Sequence, residues 1–158
     1  MRRKYYVAYG SNLNMAQMIH RCPGATAVGS GYLEDWELFY AGSKTGNYAT
    51  IRPKPGSIVP VGVWLINEDN EQALDRYEGF PTFYYKEDVR VHMLTRVRNL
   101  TGMVYIMAED ATPGPPAPYY VKVCRAGYAD FGMNQEYLDE SLRAAGIKNP
   151  GADMWHIW

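Results

Sequence analysis

Residues 59–66, VPVGVWLI, form a nearly continuous apolar run that is too long for a turn and far too short for a bilayer. Such a run reads as a strand buried on both faces, so the rest of the chain has to supply cover for it. Other segments read the same way at lower hydrophobicity. KYYVAYG (4–10) is a β-branched and aromatic first strand, and TAVGSGYLEDWELFYAG (26–42) is a strand with a glycine bend. YATIRP (48–53) is a short strand stopping at Pro53, and LTGMVYIMA (100–108) is a late one. YYKEDVRVHML (84–94) alternates: Lys86, Asp88, Arg90 and His92 take one face, and Tyr85, Glu87, Val89, Val91 and Met93 the other. Between these strands lie short helical stretches. Met15, Met18 and Ile19 give SNLNMAQMIHRC an apolar stripe, and YYVKVCRAGYADF and NQEYLDESLRAAG form two late helices, the second opening at Asn134 and closing at Gly146. The expectation is an α+β fold: one domain over 1–158, with a mostly antiparallel, barrel-like β-sheet and short flanking helices.

The balance of charges narrows the function. Sixteen basic and seventeen acidic residues leave a net charge of −1, which gives no sign of a surface built for phosphate backbones, so no nucleic acid is expected. No apolar run reaches membrane-spanning length, and MRRK leads straight into a strand without a signal-peptide core; a cytoplasmic protein with no membrane partner is expected. Cys22 and Cys124 are expected to stay reduced. His20, His92 and His156 show no ligand spacing, so no metal is expected. His20 and Cys22 lack a third partner, and alternate positions on a helix do not face each other. Fourteen tyrosines can line a polar small-molecule pocket. The tryptophans of the DMWHIW tail favour packing.

Two stretches carry chemistry. In INEDNEQALDRYEG, Asn67 is the expected N-cap, Glu68, Asp69 and Glu71 suit the first turn, and Gly79 is the stop. Glu78 then stands at the negative end of the helix dipole, one turn after Leu74 and beside Ala73 and Tyr77. It is either a solvated helix-end acid or an inward-facing carboxyl, whose pKa the dipole and burial raise into the range of a base. The other stretch is VAYGSNLN. A strand ending in Gly10-Ser11-Asn12 before a helix is either an ordinary turn and cap, or a concavity of backbone N–H groups suited to an anion. It lacks the glycine spacing and Lys-Ser/Thr of a phosphate loop.

These motifs resemble those of the γ-glutamylcyclotransferase-like family, which includes glutathione-related enzymes and plant AIG2-like proteins. The likeness rests on YVAYGSNL, LDRYEG and VYIMAEDATPGPPAPYYVKVCRAG followed by GMNQEYLDESL, in the family's order over most of residues 5–143. The final GADMWHIW has no match in that pattern. The resemblance implies a compact α+β barrel-like fold, no cofactor, a small-molecule γ-glutamyl substrate and room for a homodimer. It implies that a γ-glutamyl compound is converted to 5-oxoproline and a free amine. By the same likeness Tyr9, Gly10, Ser11 and Asn12 hold the γ-glutamyl end, Glu78 is the acid/base, and Tyr120 and Tyr105 contact substrate. The leaving amine stays open. Two other classes compete: a binding protein for a γ-glutamyl or acidic ligand, and a hydrolase using Cys22 or Cys124, which would release free glutamate.

Overall fold

The computed structural model describes residues 2–43, 45–94 and 98–153. Residues 154–158 of the DMWHIW tail, His156 among them, lie outside the described residues.

Strand β1 (Arg3–Ala8) runs from exposed to buried, ending in Val7 and Ala8 at 1% exposure each. It pairs antiparallel with β3 (Gly46–Asn67), Arg3 opposite Asn67 and Ala8 opposite Gly62, and parallel with β5 (Leu100–Met107) at Tyr6 and Met103. β5 pairs with β4 (Tyr84–Met93), β4 with β2 (Thr26–Ser43), and β2 with β3. The five strands therefore close into a ring in which one contact is parallel and the others antiparallel, and a closed ring removes the sheet edges. A short β6 (Thr112–Pro113), in the TPGPPA stretch between β5 and the next helix, adds to β2 at Gly42 and Ala41.

The main difference from the sequence reading lies in β3. YATIRP and VPVGVWLI belong to one 22-residue strand rather than two. Their pairing with β2 is interrupted: Trp36 faces Pro53, yet Glu34 faces Ile58, so four residues of β3 bulge out against Asp35. Asp35 accepts a hydrogen bond from the Gly56 N–H at 2.8 Å across this bulge, where Gly56 takes a left-handed φ of 86°. Pro53 and Pro55 are tolerated because the ladder is open there.

Helices α1 (Met15–Arg21), α2 (Glu68–Glu78), α3 (Pro118–Asp130), α4 (Gln135–Ala144) and α5 (Pro150–Asp153) flank the barrel. On α1 only part of the expected stripe is inward: Met18 is fully buried, but Ile19 is 68% exposed. Helix α2 keeps the expected bounds. Asn67 and Asn70 bond reciprocally in a capping box, and Gly79 closes the helix with φ 67°. α3 presses on the turn after β1, because Gly127 leaves no side chain between them; a Cβ there would lie 2.5 Å from the Leu13 Cβ. No described helix is long and apolar enough to cross a membrane.

Candidate active site

The parallel contact of β1 and β5 places the carboxyl end of β1 at one mouth of the barrel. There the chain turns through Tyr9 and Gly10 into a single 3-10 turn (Ser11–Leu13). Its first bond runs from the Leu13 N–H to the Gly10 carbonyl at 3.1 Å, so the N–H groups of Gly10, Ser11 and Asn12 precede the helical ladder. The Trp64 indole donates to the Asn12 carbonyl at 3.0 Å and holds the turn against β3. Gly10 is tightly confined: a Cβ would stand 2.9 Å from the Tyr120 hydroxyl and 3.2 Å from the Ala49 Cβ.

Glu78 reaches this turn from the end of α2. Asn12 is 3% exposed, and its amide nitrogen donates to Glu78 Oε1 at 3.2 Å and to the Tyr6 hydroxyl at 2.8 Å. Burial lifts the Glu78 carboxyl to about 7, and the nearby Arg21 charge opposes the rise. Tyr6 and Tyr9 are pushed well above the usual phenol range by burial first and by the Glu78 charge second, so both remain neutral donors near neutral pH.

A pocket of about 290 Å³ opens beside these groups and brings together every site residue expected from the sequence: Tyr9, Gly10, Ser11, Asn12, Glu78, Tyr105 and Tyr120. Their hydroxyls are differently engaged. Tyr9 donates to the Tyr105 carbonyl at 2.7 Å, and Tyr120 accepts from the Ala49 N–H at 3.0 Å. The Tyr105 hydroxyl donates to Asp75 at 2.6 Å, so Tyr105 offers the pocket its ring while its oxygen anchors α2. Tyr77 departs from the expected inward stripe: it is 47% exposed and its hydroxyl lies 3.2 Å from Ser11 Oγ. Cys22 is buried and His20 exposed, so they do not share a site.

The sequence reading missed Tyr6, Tyr48 and Arg21, and gave Phe83 and Tyr84 no part in the site. All but Arg21 line the pocket. Tyr48 stands edge-on to Tyr120 at 5.4 Å. Tyr6 lay within the quoted strand, but period-two alternation alone does not say which strand face meets a helix end from 70 residues away. The excess of tyrosine was the legible signal.

A buried carboxyl poised near neutrality, beside a turn whose first backbone N–H groups precede its helical ladder in a tyrosine-lined cleft, is the arrangement of a small-molecule acid/base enzyme. The model of the family described as gamma-glutamyl cyclotransferase, AIG2-like, matches residues 6–122, and the chain belongs to that family. The chain is 34% identical over 148 residues to the gamma-glutamylcyclotransferase of Mus musculus, covering 88% of this chain and 77% of the mouse protein. The Homo sapiens gamma-glutamylcyclotransferase matches with the same identity and coverage. A solved structure of a gamma-glutamyl cyclotransferase superposes with TM-score 0.81 at 30% identity, covering 91% of this chain and 88% of that one.

Proposed function

We propose that this protein is a γ-glutamylcyclotransferase that converts a γ-glutamyl amine, amino acid or peptide to 5-oxoproline and a free amine, with Glu78 moving the protons. The observation that carries the reading is the Glu78 carboxyl, lifted to about 7 within hydrogen-bond reach of the Gly10–Asn12 turn.

The substrate contains its own nucleophile. Its α-amine closes a five-membered ring on the γ-carbonyl, so the protein has to hold the folded-back conformer, and positioning of this kind is worth up to about 7–11 kcal/mol of barrier. The tyrosine walls and the small pocket volume suit that task. The amine arrives protonated and cannot attack. Glu78 in its charged form takes the proton, the C–N bond of the ring forms, and the carbonyl oxygen becomes negative. The N–H groups of Gly10, Ser11 and Asn12 are available to that oxygen or to the substrate α-carboxylate. Glu78 then returns that proton to the departing nitrogen as the γ-amide bond breaks, regenerating its carboxylate, and the second proton on the ring nitrogen passes to the released amine, which leaves as an ammonium beside a neutral lactam. A base near pKa 4.5 would hold the proton too weakly, whereas one near 7 serves both steps, worth about 10² to 10⁴ in rate.

The test is mass-spectrometric detection of 5-oxoproline over a panel of γ-glutamyl compounds, for wild type and Glu78→Gln. The expected result is product from the wild type and a loss of about 10² or more in the variant. Full turnover by Glu78→Gln would remove the acid/base assignment. Ligand binding without product across the panel would favour a binding protein, and free glutamate would point to hydrolysis.

A further inference from the structure

Asn12 faces three partners, and the way its amide is turned decides what Glu78 meets. An Asn side chain presents an acceptor on one side and donors on the other. The Arg21 Nη1 donates to Asn12 Oδ1, and a guanidinium has donors only, so the oxygen must face Arg21 and the NH2 group must face Glu78 and Tyr6. Arg21 is itself fixed. Its guanidinium lies 3.5 Å from the Tyr77 ring centre, and its Nη2 donates to Gln17 Oε1 at 3.3 Å, one turn back on α1. Arg21 does not line the pocket, so its effect on the reaction must pass through Asn12 and through its charge.

We propose that Arg21 is a positioning residue for the cyclisation: it locks the Asn12 amide with its donors toward Glu78, and it supplies the cation that offsets the buried carboxylate.

Among the described residues, the groups that face Glu78 leave that second task to Arg21. Tyr6 and Tyr9 face it from the β1 end, Tyr84 from β4, Tyr120 from α3 and Tyr77 from its own helix. Tyr6, Tyr9, Tyr84 and Tyr120 are neutral near neutral pH, because burial raises each phenol. Burial pushes Glu78 up and the Arg21 charge pulls it back, so without the cation the carboxyl would stay protonated through neutral pH and fail as a base.

The inference rests on the proposed reaction, so its test uses two readouts. One is the Glu78 side-chain carboxyl followed by ¹³C NMR titration, which needs no turnover; the other is the pH profile of kcat/KM for 5-oxoproline formation. Arg21→Gln keeps a donor for Asn12 Oδ1 and removes the charge. Both the NMR midpoint and the acid limb should rise by about one unit, with the high-pH kcat plateau retained. Arg21→Met removes donor and charge while keeping a long stem against Tyr77. It should give the same rise and also a plateau lowered by about tenfold, from loss of alignment. Arg21→Lys should return the midpoint close to wild type. Unchanged midpoints in the folded Gln and Met variants would overturn the proposal, as would loss of fold in all three, which would make Arg21 a structural residue. A shifted midpoint in a protein that forms no 5-oxoproline would leave the Arg21 assignment standing and reject the reaction.

Discussion

At the scale of single residues, the site is arranged against stability. Glu78 is held at about 7 by burial, against 4.5 when exposed, so the folded state keeps its proton over a range where the unfolded chain has lost it. The native state then binds more protons than the unfolded state between those values, and stability falls as pH rises through that window. A shift of this size corresponds to about 3 to 4 kcal/mol at most, reduced by the access of solvent to the pocket. Glu78→Gln is therefore expected to unfold at a higher temperature than wild type at pH above 7, and to lose most of that advantage below pH 4.5. Thermal melts at the two extremes check this; a variant less stable than wild type at high pH would contradict a strained carboxyl. Gly10 has the opposite character, since its constraint is purely steric. Gly10→Ala places a methyl 2.9 Å from the Tyr120 hydroxyl. We expect kcat/KM to fall by about 10² as the turn or Tyr120 shifts, with the melting temperature nearly unchanged.

At the scale of elements, α2 and α3 present their residues to the turn after β1 by different means. α2 is tied to the barrel by polar contacts: Lys86 on β4 bridges Asp75 and Glu71 at 2.9 and 2.8 Å, and Lys4 on β1 reaches Glu71 at 2.9 Å. α3 is placed by the missing side chain of Gly127 and by Asp130, which accepts a hydrogen bond from the Met15 N–H at 2.9 Å and so caps α1. For Gly127→Ala the two effects oppose each other. Alanine favours the helix by about 1 kcal/mol, but its Cβ would lie 2.5 Å from Leu13 Cβ and 2.7 Å from the Asn14 backbone nitrogen, and overpacking of that kind costs about 1 to 3 kcal/mol. Backbone cannot yield as a side-chain tip can, so the clash should win. We expect lower stability in urea melts and a reduced kcat. A stabilised variant with full turnover would show that α3 does not set the turn. Legibility in the sequence divides along the same line. The ends of α2 were readable because the cap Asn67 and the stop Gly79 act on the positions next to them, though the part Asn70 plays in the capping box was not. The continuity of β3 through Pro53 and Pro55 was not, because it depends on a bulge opposite Asp35, on the other strand and visible only once the strands pair.

For the whole molecule, the barrel-like sheet was an expectation that the closed ring of five strands meets, while the order of strands in it was out of reach. Ring closure depends on β2 meeting both β3 and β4, and no local pattern states that. The same limit hid Arg21, whose partners come from α1, α2 and the turn after β1. Whether residues 1–158 behave as one cooperative unit can be read from the two cysteines. Cys22 ends α1 against the Asn70 carbonyl on α2, and Cys124 sits in the middle of α3; they are 1% and 2% exposed and form no disulfide. Burial pushes the Cys22 thiol up to about 11 and the Cys124 thiol up to about 12, so neither offers appreciable thiolate near neutral pH. Native protein should resist iodoacetamide and keep its turnover, whereas a cysteine hydrolase would be inactivated. In rising urea the two thiols become reactive only as their surroundings open. Because α1, α2 and α3 all pack around the turn after β1, we expect both cysteines to be alkylated at one midpoint, coincident with the loss of near-ultraviolet circular dichroism. Mass spectrometry of the labelled peptides measures each site separately. Cys124 labelling at a clearly lower urea concentration than Cys22 would mean that α3 detaches first, and that the chain folds in more than one unit.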